Sequence, residues 1–225
     1  MSFRKILSIF FPAQCPFCKD IISGDEVVCQ SCEKKINRKL IKTTLTTREG
    51  QKFECVAPFA YVEPIRGAIH DYKFKGAKNF AVPFGKYVAD VLAESLDVTR
   101  VDLITSVPLH RARKRERGFN QAEIFAKEVS RLTSIRYAET LKKVKRNKTQ
   151  HELSQQERVE NVKDVYAIID SEAVKGKTIV ICDDILTTGN TMAECANVIL
   201  KSGARTVIGA TIANVENRPK TIDKK

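Results

Sequence analysis

Ile179-Val180-Ile181-Cys182-Asp183-Asp184-Ile185-Leu186-Thr187-Thr188-Gly189-Asn190-Thr191 is the stretch that sets the reading of the whole chain. Ile179, Val180 and Ile181 form an unbroken β-branched run, the composition of a parallel strand covered on both faces. Two acids follow at the carboxyl end of that strand, where open α/β sheets bind their ligands. Thr187, Thr188, Gly189, Asn190 and Thr191 then open a helical pattern carried by Met192, Cys195, Val198 and Ile199. Backbone N–H groups at such a junction, with threonine hydroxyls and a helix N-terminus behind them, can hold a phosphate. Carboxylates beside it can accept hydrogen bonds from the 2′- and 3′-hydroxyls of a ribose. A plain capped turn would use some of the same residues, but the order of residue types suits a sugar phosphate.

Outward from this stretch, strand and helix patterns alternate. Phe53 to Val62 reads as a strand or hairpin, Pro64 to Phe74 as a helix, and Val82 to Leu96 as a second helix with apolar residues at helical spacing. Val101 to Val107 is a strand ending at Pro108, and Phe119, Ile124, Phe125, Val129 and Leu132 mark the next helix. Val165 to Ile169 and Thr206 to Ile212 supply further strands, while Ile41 to Gln51 reads as a threonine-rich connector. This alternation predicts an α/β fold with a mostly parallel, doubly wound sheet. Three regions are expected: a helix and zinc module over 1–40, the main domain over 41–217, and a lysine-rich tail over 218–225.

The amino-terminal region is set by its cysteines. Cys15-Pro16-Phe17-Cys18 and Cys29-Gln30-Ser31-Cys32 are two C-x-x-C knuckles, a spacing that lets four thiolates converge on one zinc. Two disulfides are the other reading, one that fits a cytosolic chain poorly. A four-thiolate site is closed, so the metal is expected to be structural. Cys55, Cys182 and Cys195 sit in apolar patterns and read as buried small hydrophobes.

With 225 residues, 43% of them hydrophobic, the chain can bury one substantial core plus a small appendage. No apolar run is long enough for a membrane span. Met1 to Ala13 has a short apolar part broken by Ser8 and no small-residue cleavage site, so it reads as a docking helix, and the protein as cytoplasmic. The net charge of +12 is concentrated in two blocks, Arg111 to Arg117 and Lys142 to Lys148. Such blocks suit polyphosphate, nucleic acid or simple solvation. Neither block is closely interleaved with aromatics in the sequence, which favours charge-driven contact over base stacking for a nucleic-acid partner.

Two further segments carry chemistry. Ser106-Val107-Pro108-Leu109-His110 leaves a strand and enters a basic loop closed by Arg117-Gly118-Phe119-Asn120-Gln121. Backbone amides of Val107, Pro108 (through its neighbours), Leu109, His110 and Arg111, with guanidinium groups nearby, suit a pyrophosphate. Lys145 to Gln150, continuing to Gln155-Gln156-Glu157-Arg158 and Asn161-Val162, is long, polar and basic. An exposed linker would look the same.

The opening stretch resembles the thirteen-residue phosphoribosyl pyrophosphate (PRPP) signature of type I phosphoribosyltransferases. That resemblance implies ribose contacts for Asp183 and Asp184, and a 5-phosphate cradle from Thr187, Thr188, Gly189, Asn190 and Thr191. It also implies a pyrophosphate loop over Val107 to Arg111, and a flexible loop or hood carrying Lys145, Arg146, Lys148, Gln150 and Arg158. With the zinc knuckles, the R-G-F-N-Q run and the T-Q…R-x-x-N-V stretch added, the chain from Cys15 to about Ala213 resembles the ComF family. The family resemblance implies a type I phosphoribosyltransferase fold, magnesium carried with PRPP, and a role in DNA uptake during natural transformation. Single-stranded DNA and a ComFA-like uptake helicase are the partners it implies. An active transferase with another acceptor and a PRPP-sensing regulator remain open, and neither His110 nor His151 is assigned a catalytic role.

Overall fold

The computed structural model describes residues 13–22, 26–144 and 165–215. Its elements run α1 (Gln30–Lys35), β1 (Ile41–Thr46), β2 (Lys52–Ala57), β3 (Phe59–Ala60), α2 (Ile65–Phe74) and α3 (Ala81–Ser95). Then come β4 (Leu103–Ser106), α4 (Arg111–Arg117), α5 (Gln121–Thr133), β5 (Leu141–Lys143), β6 (Tyr166–Ile168), β7 (Thr178–Leu186), α6 (Asn190–Lys201) and β8 (Thr206–Asn214). The expected docking helix up to Pro12, the loop residues Lys145, Arg146, Lys148, Gln150 and Arg158, and the tail lie outside the described residues.

The main sheet has the order β1-β2-β8-β7-β4, with the short β3 also pairing β8. All of its pairings are parallel except β1 with β2. The β-branched run of β7 lies inside the sheet, between β8 and β4, with both faces covered: Ile179, Val180 and Ile181 are fully buried. Strand alternation sends Val180 and Cys182 into one core, with Ile104, Phe84, Val88 and Phe125. Ile179 and Ile181 enter the other, with Met192, Cys195 and Ile199 of α6. Burial of each such side chain is worth about 1.5–3 kcal/mol.

Three local expectations differ. Ile41 to Gln51 is not a connector: Ile41–Thr46 forms the antiparallel edge strand β1. Its β-branched residues suit a pleat, and an edge strand needs only one half-buried face, which Ile41, Thr43 and Leu45 supply. The basic loop is largely helix α4, with the His110 ring accepting the Ala112 N–H at its start and Gly118 in the left-handed region (φ 77°) at its end. Arg111, nominated as a loop residue, is the first residue of that helix. Finally, Tyr166–Ile168 does not join the main sheet but pairs antiparallel with Leu141–Lys143 in a separate ribbon. With only three paired residues, hydrophobic pattern alone does not say which partner such a strand takes.

The zinc module shares its core with the sheet. Cys15, Ile22 and Val28 belong to the same buried cluster as Val56, Phe59 and Tyr87. The Phe17 ring packs edge-on against both Phe59 and Phe84, at 6.4 Å between centroids. Tyr87 donates its hydroxyl to Glu33 of α1.

Candidate functional site

The site forms where the sheet loses a strand. β4 stops at Ser106, opposite Cys182, whereas β7 runs on beside β8 to Leu186. Asp183 and Asp184 therefore lie within β7, not after it, and just past the end of its β4 neighbour. This opening at the carboxyl ends of parallel strands is the place where α/β sheets bind ligands.

Successive residues of a strand face opposite ways, and the two acids have different neighbours. Asp184 pairs with Lys73 of α2, Nζ to Oδ1 at 2.8 Å. Asp183 is half-buried, and its Oδ1 accepts the Asp184 N–H at 2.9 Å. Burial, then the adjacent Asp184 charge, raise the Asp183 carboxyl to about 7, with Lys73 and Lys143 offsetting only part. Lys143 is itself pushed down from the ordinary lysine range, first by burial and then by Arg113.

The turn after β7 makes a small hollow bounded by Asp183 and by Thr187 to Met192. Thr187 and Thr188 are exposed, while Gly189 is buried at φ 77° and starts α6 without a side-chain cap. Its N-terminal N–H groups have no capping side chain, the arrangement that favours an anion. Gly189 is required by its backbone angle, and a Cβ there would also press the Leu45 side-chain tip on β1 at 2.6 Å. Below the turn, the Thr191 side chain hydrogen-bonds the buried Tyr166, whose hydroxyl burial holds well above the usual phenol range.

The Arg117–Gln121 run acts as a clasp. Asn120 caps α5 through the Ala122 N–H at 3.2 Å and donates Nδ2 to the Val107 carbonyl at 3.1 Å. Gln121, almost fully buried, donates Nε2 to the Lys73 carbonyl at 2.9 Å and accepts the Tyr72 hydroxyl on its own carbonyl at 2.7 Å. The nominated segment Val107 to Arg111 is thereby held beside the end of α2, with Val107 N–H bonded to Cys182. Pro108, Leu109 and His110 are half-buried and Arg111 is exposed.

The structure thus brings Asp183, Asp184, the threonine turn and the Val107 segment to one end of the sheet. Lys73 and Tyr166 join them without a role in the sequence reading, and Lys143 joins them from the second basic block. A lysine inside the apolar period of α2 and a tyrosine in a short strand carry no signal until the chain folds.

Apart from these residues, the Sγ atoms of Cys15, Cys18, Cys29 and Cys32 lie within 4.8 Å of one another. A tetrahedral zinc with bonds of about 2.3 Å separates its sulfurs by about 3.8 Å, so the cluster fits that ion with small closure. The first knuckle is tied by Cys15 N–H to Asp20 at 2.8 Å and Lys19 N–H to Cys15 at 3.0 Å, with Lys19 in the left-handed region. Burial works against the Cys15 thiolate, yet N–H groups of Cys18, Cys29 and Phe17 outweigh it and bring the thiol down to about 7. Cys18 and Cys29 sulfurs stand 3.5 Å apart, a thiol contact and not a disulfide.

Among the described residues no helix is long and apolar enough to cross a membrane. Residues 118–225 match the phosphoribosyl transferase domain, and residues 6–56 match the double zinc ribbon domain. Of the five cysteines within 6–56, the fifth, Cys55, is buried in β2 against Gly209, which leaves a single four-thiol cluster in that region. The domain match and this cluster together support a structural zinc. A DNA utilization protein YhgH of Escherichia coli O6:H1 is 29% identical over 201 residues, covering 86% of each chain. Competence protein F of Haemophilus influenzae is 26% identical over 152 residues, 65% of this chain and 66% of that protein. Competence protein ComFC of Bacillus subtilis is 25% identical over 193 residues, 84% of this chain and 72% of that protein. With these relatives, a phosphoribosyltransferase-type sheet and an N-terminal zinc ribbon, the chain belongs to the ComF family.

Proposed function

We propose that the chain binds PRPP at the open end of β7 and serves DNA uptake. The observation that carries this reading is the placement of Asp183 and Asp184 beside an uncapped helix start at Gly189. The threonine turn receives the 5-phosphate on N–H groups and hydroxyls. The acids accept the ribose hydroxyls. Lys73 orients Asp184, and the diphosphate is assigned to Lys143 and the backbone of residues 109–111, the Val107 N–H being bonded to Cys182. Magnesium comes with the diphosphate and offsets its charge. Competence and DNA use, which the relatives' names carry, are extended to this chain on the strength of the family, with single-stranded DNA and an uptake helicase as the partners to test.

Calorimetry with PRPP and magnesium tests the pocket directly. Wild-type protein gives saturable heat, and Asp183→Ala/Asp184→Ala gives none. Equal heats in the two proteins would remove the site.

A further inference from the structure

Between the C-terminal end of α2 and the α4–Phe119 segment lies a second cleft, of about 750 Å³. It is lined by Lys73 and Phe74 on one side and by Arg113, Glu116, Arg117 and Phe119 on the other. A space of this size accommodates a small organic molecule.

Its lining is unusual in two ways. Phe74 is 61% exposed, although a large aromatic ring is costly to leave in water. Each aromatic ring also carries a cation: the Arg117 guanidinium lies 4.9 Å from the Phe74 centroid, and Lys78 Nζ lies 4.7 Å from that of Phe119. Among the described residues neither Arg113 nor Arg117 pairs with a carboxylate. Glu116 is the one acid in the lining, against Lys73, Arg113 and Arg117. Arg117 reaches Gln121 Oε1 at 3.5 Å. Aromatic faces and guanidinium planes stack nucleobases, and an arginine without a carboxylate partner beside them takes phosphate.

The fold supplies what the chain order lacks. The basic block Arg111–Arg117 contains no aromatic residue. Tertiary structure sets Phe74, from the end of α2, against it, and Gly118 turns the chain so that Phe119 closes the other wall.

We propose that this cleft binds a nucleotide, its base stacked on Phe74 and the Arg117 guanidinium and its phosphate held by Arg113. A free nucleotide and a nucleotide within a single strand present the same chemistry. The cleft borders the proposed PRPP site through Lys73, but none of Thr187 to Thr191 and neither acid of β7 lines it, so the proposal does not rest on the PRPP reading.

The test uses a labelled short oligothymidylate, an abasic strand of equal length, and thymidine monophosphate, by fluorescence anisotropy and calorimetry. Wild type, Phe74→Ala and Arg113→Ala are compared, with equal thermal stability showing that these exposed substitutions leave the fold intact. Phe74→Ala weakens the oligothymidylate roughly tenfold and leaves the abasic strand unchanged. Arg113→Ala weakens both strands and lowers the salt dependence by about one counterion. Binding of the monophosphate alone, lost in Phe74→Ala, supports the site and identifies a free nucleotide as its ligand. Equal affinity for abasic and base-containing strands overturns the proposal, as does an unchanged affinity in Phe74→Ala or no binding of any probe. Loss of PRPP binding in Asp183→Ala/Asp184→Ala with nucleotide binding retained separates this cleft from the PRPP pocket.

Discussion

Lys73 Nζ stands 2.8 Å from Asp184 Oδ1, and this ion pair ties the end of α2 to the strand that carries both site acids. Gln121 fixes the Lys73 backbone from the other side. The pair is largely shielded, with side-chain exposures of 20% and 16%. Removing one partner from a shielded pair leaves the other charge unmatched.

Lys73→Met is therefore expected to destabilise the fold by about 3 kcal/mol in urea denaturation. Lys73→Met/Asp184→Asn is expected to recover much of that loss. A double variant as unstable as the sum of the singles would show that the pair does not couple.

Asp183 gives the stability a pH dependence of unusual sign. Its carboxyl is raised from 3.8 to about 7 by burial and by Asp184, so between these values the folded chain binds a proton that the unfolded chain has released. This contribution is fully present below pH 3.8 and is lost as pH rises through about 7. Asp71 acts oppositely in a separate window: Lys19 first, then Lys75, hold it near 2, and its contribution, present above pH 3.8, is lost as pH falls toward 2. Thermal melts from pH 5 to pH 8 should show a decline that Asp183→Asn flattens; an unaltered slope in that variant would refute the assignment.

Gly189 and Leu45 form a steric pair across the turn and the edge strand. Gly189→Ala is expected to cost about 1–3 kcal/mol, since it adds both a left-handed backbone penalty and a contact at 2.6 Å. Leu45→Ala in the same chain relieves only the contact. The stability recovered in the double variant separates the two costs, and no recovery would mean that backbone angle accounts for all of the loss.

The four-thiol cluster predicts about one zinc per chain, measured by metal analysis, and its loss in Cys15→Ser. Because Phe17 of the first knuckle packs against both Phe59 and Phe84, metal loss should reach the main core. A fall in melting temperature of about 5–10 °C is expected on chelation. An unchanged melting curve in fully demetallated protein would contradict a structural role.

What could be read in advance followed from local chemistry. A β-branched run with acids after it and a glycine-threonine turn specifies a buried parallel strand and the start of a helix, because covalent neighbours alone set period and backbone angle. Two C-x-x-C knuckles likewise carry their metal geometry within a few residues. The edge strand Ile41–Thr46 was harder, since threonines on a half-exposed pleat look like those of a connector. Arg111–Arg117 reads as loop because a helix with little apolar stripe has no period to detect.

The sequence by itself determined most of the strand and helix order, the family resemblance, the thiol set and the pair of acids at β7, but not β1 or α4. Only tertiary structure decided which cations answer those acids, Lys73 from α2 and Lys143 from the β5–β6 ribbon, and that Asp183 and Asp184 have different neighbours. It also decided that Phe74 and Phe119 stand against the basic helix. The physical reason is that charge pairing, desolvation and ring stacking act over a few ångströms in space, whatever the separation along the chain.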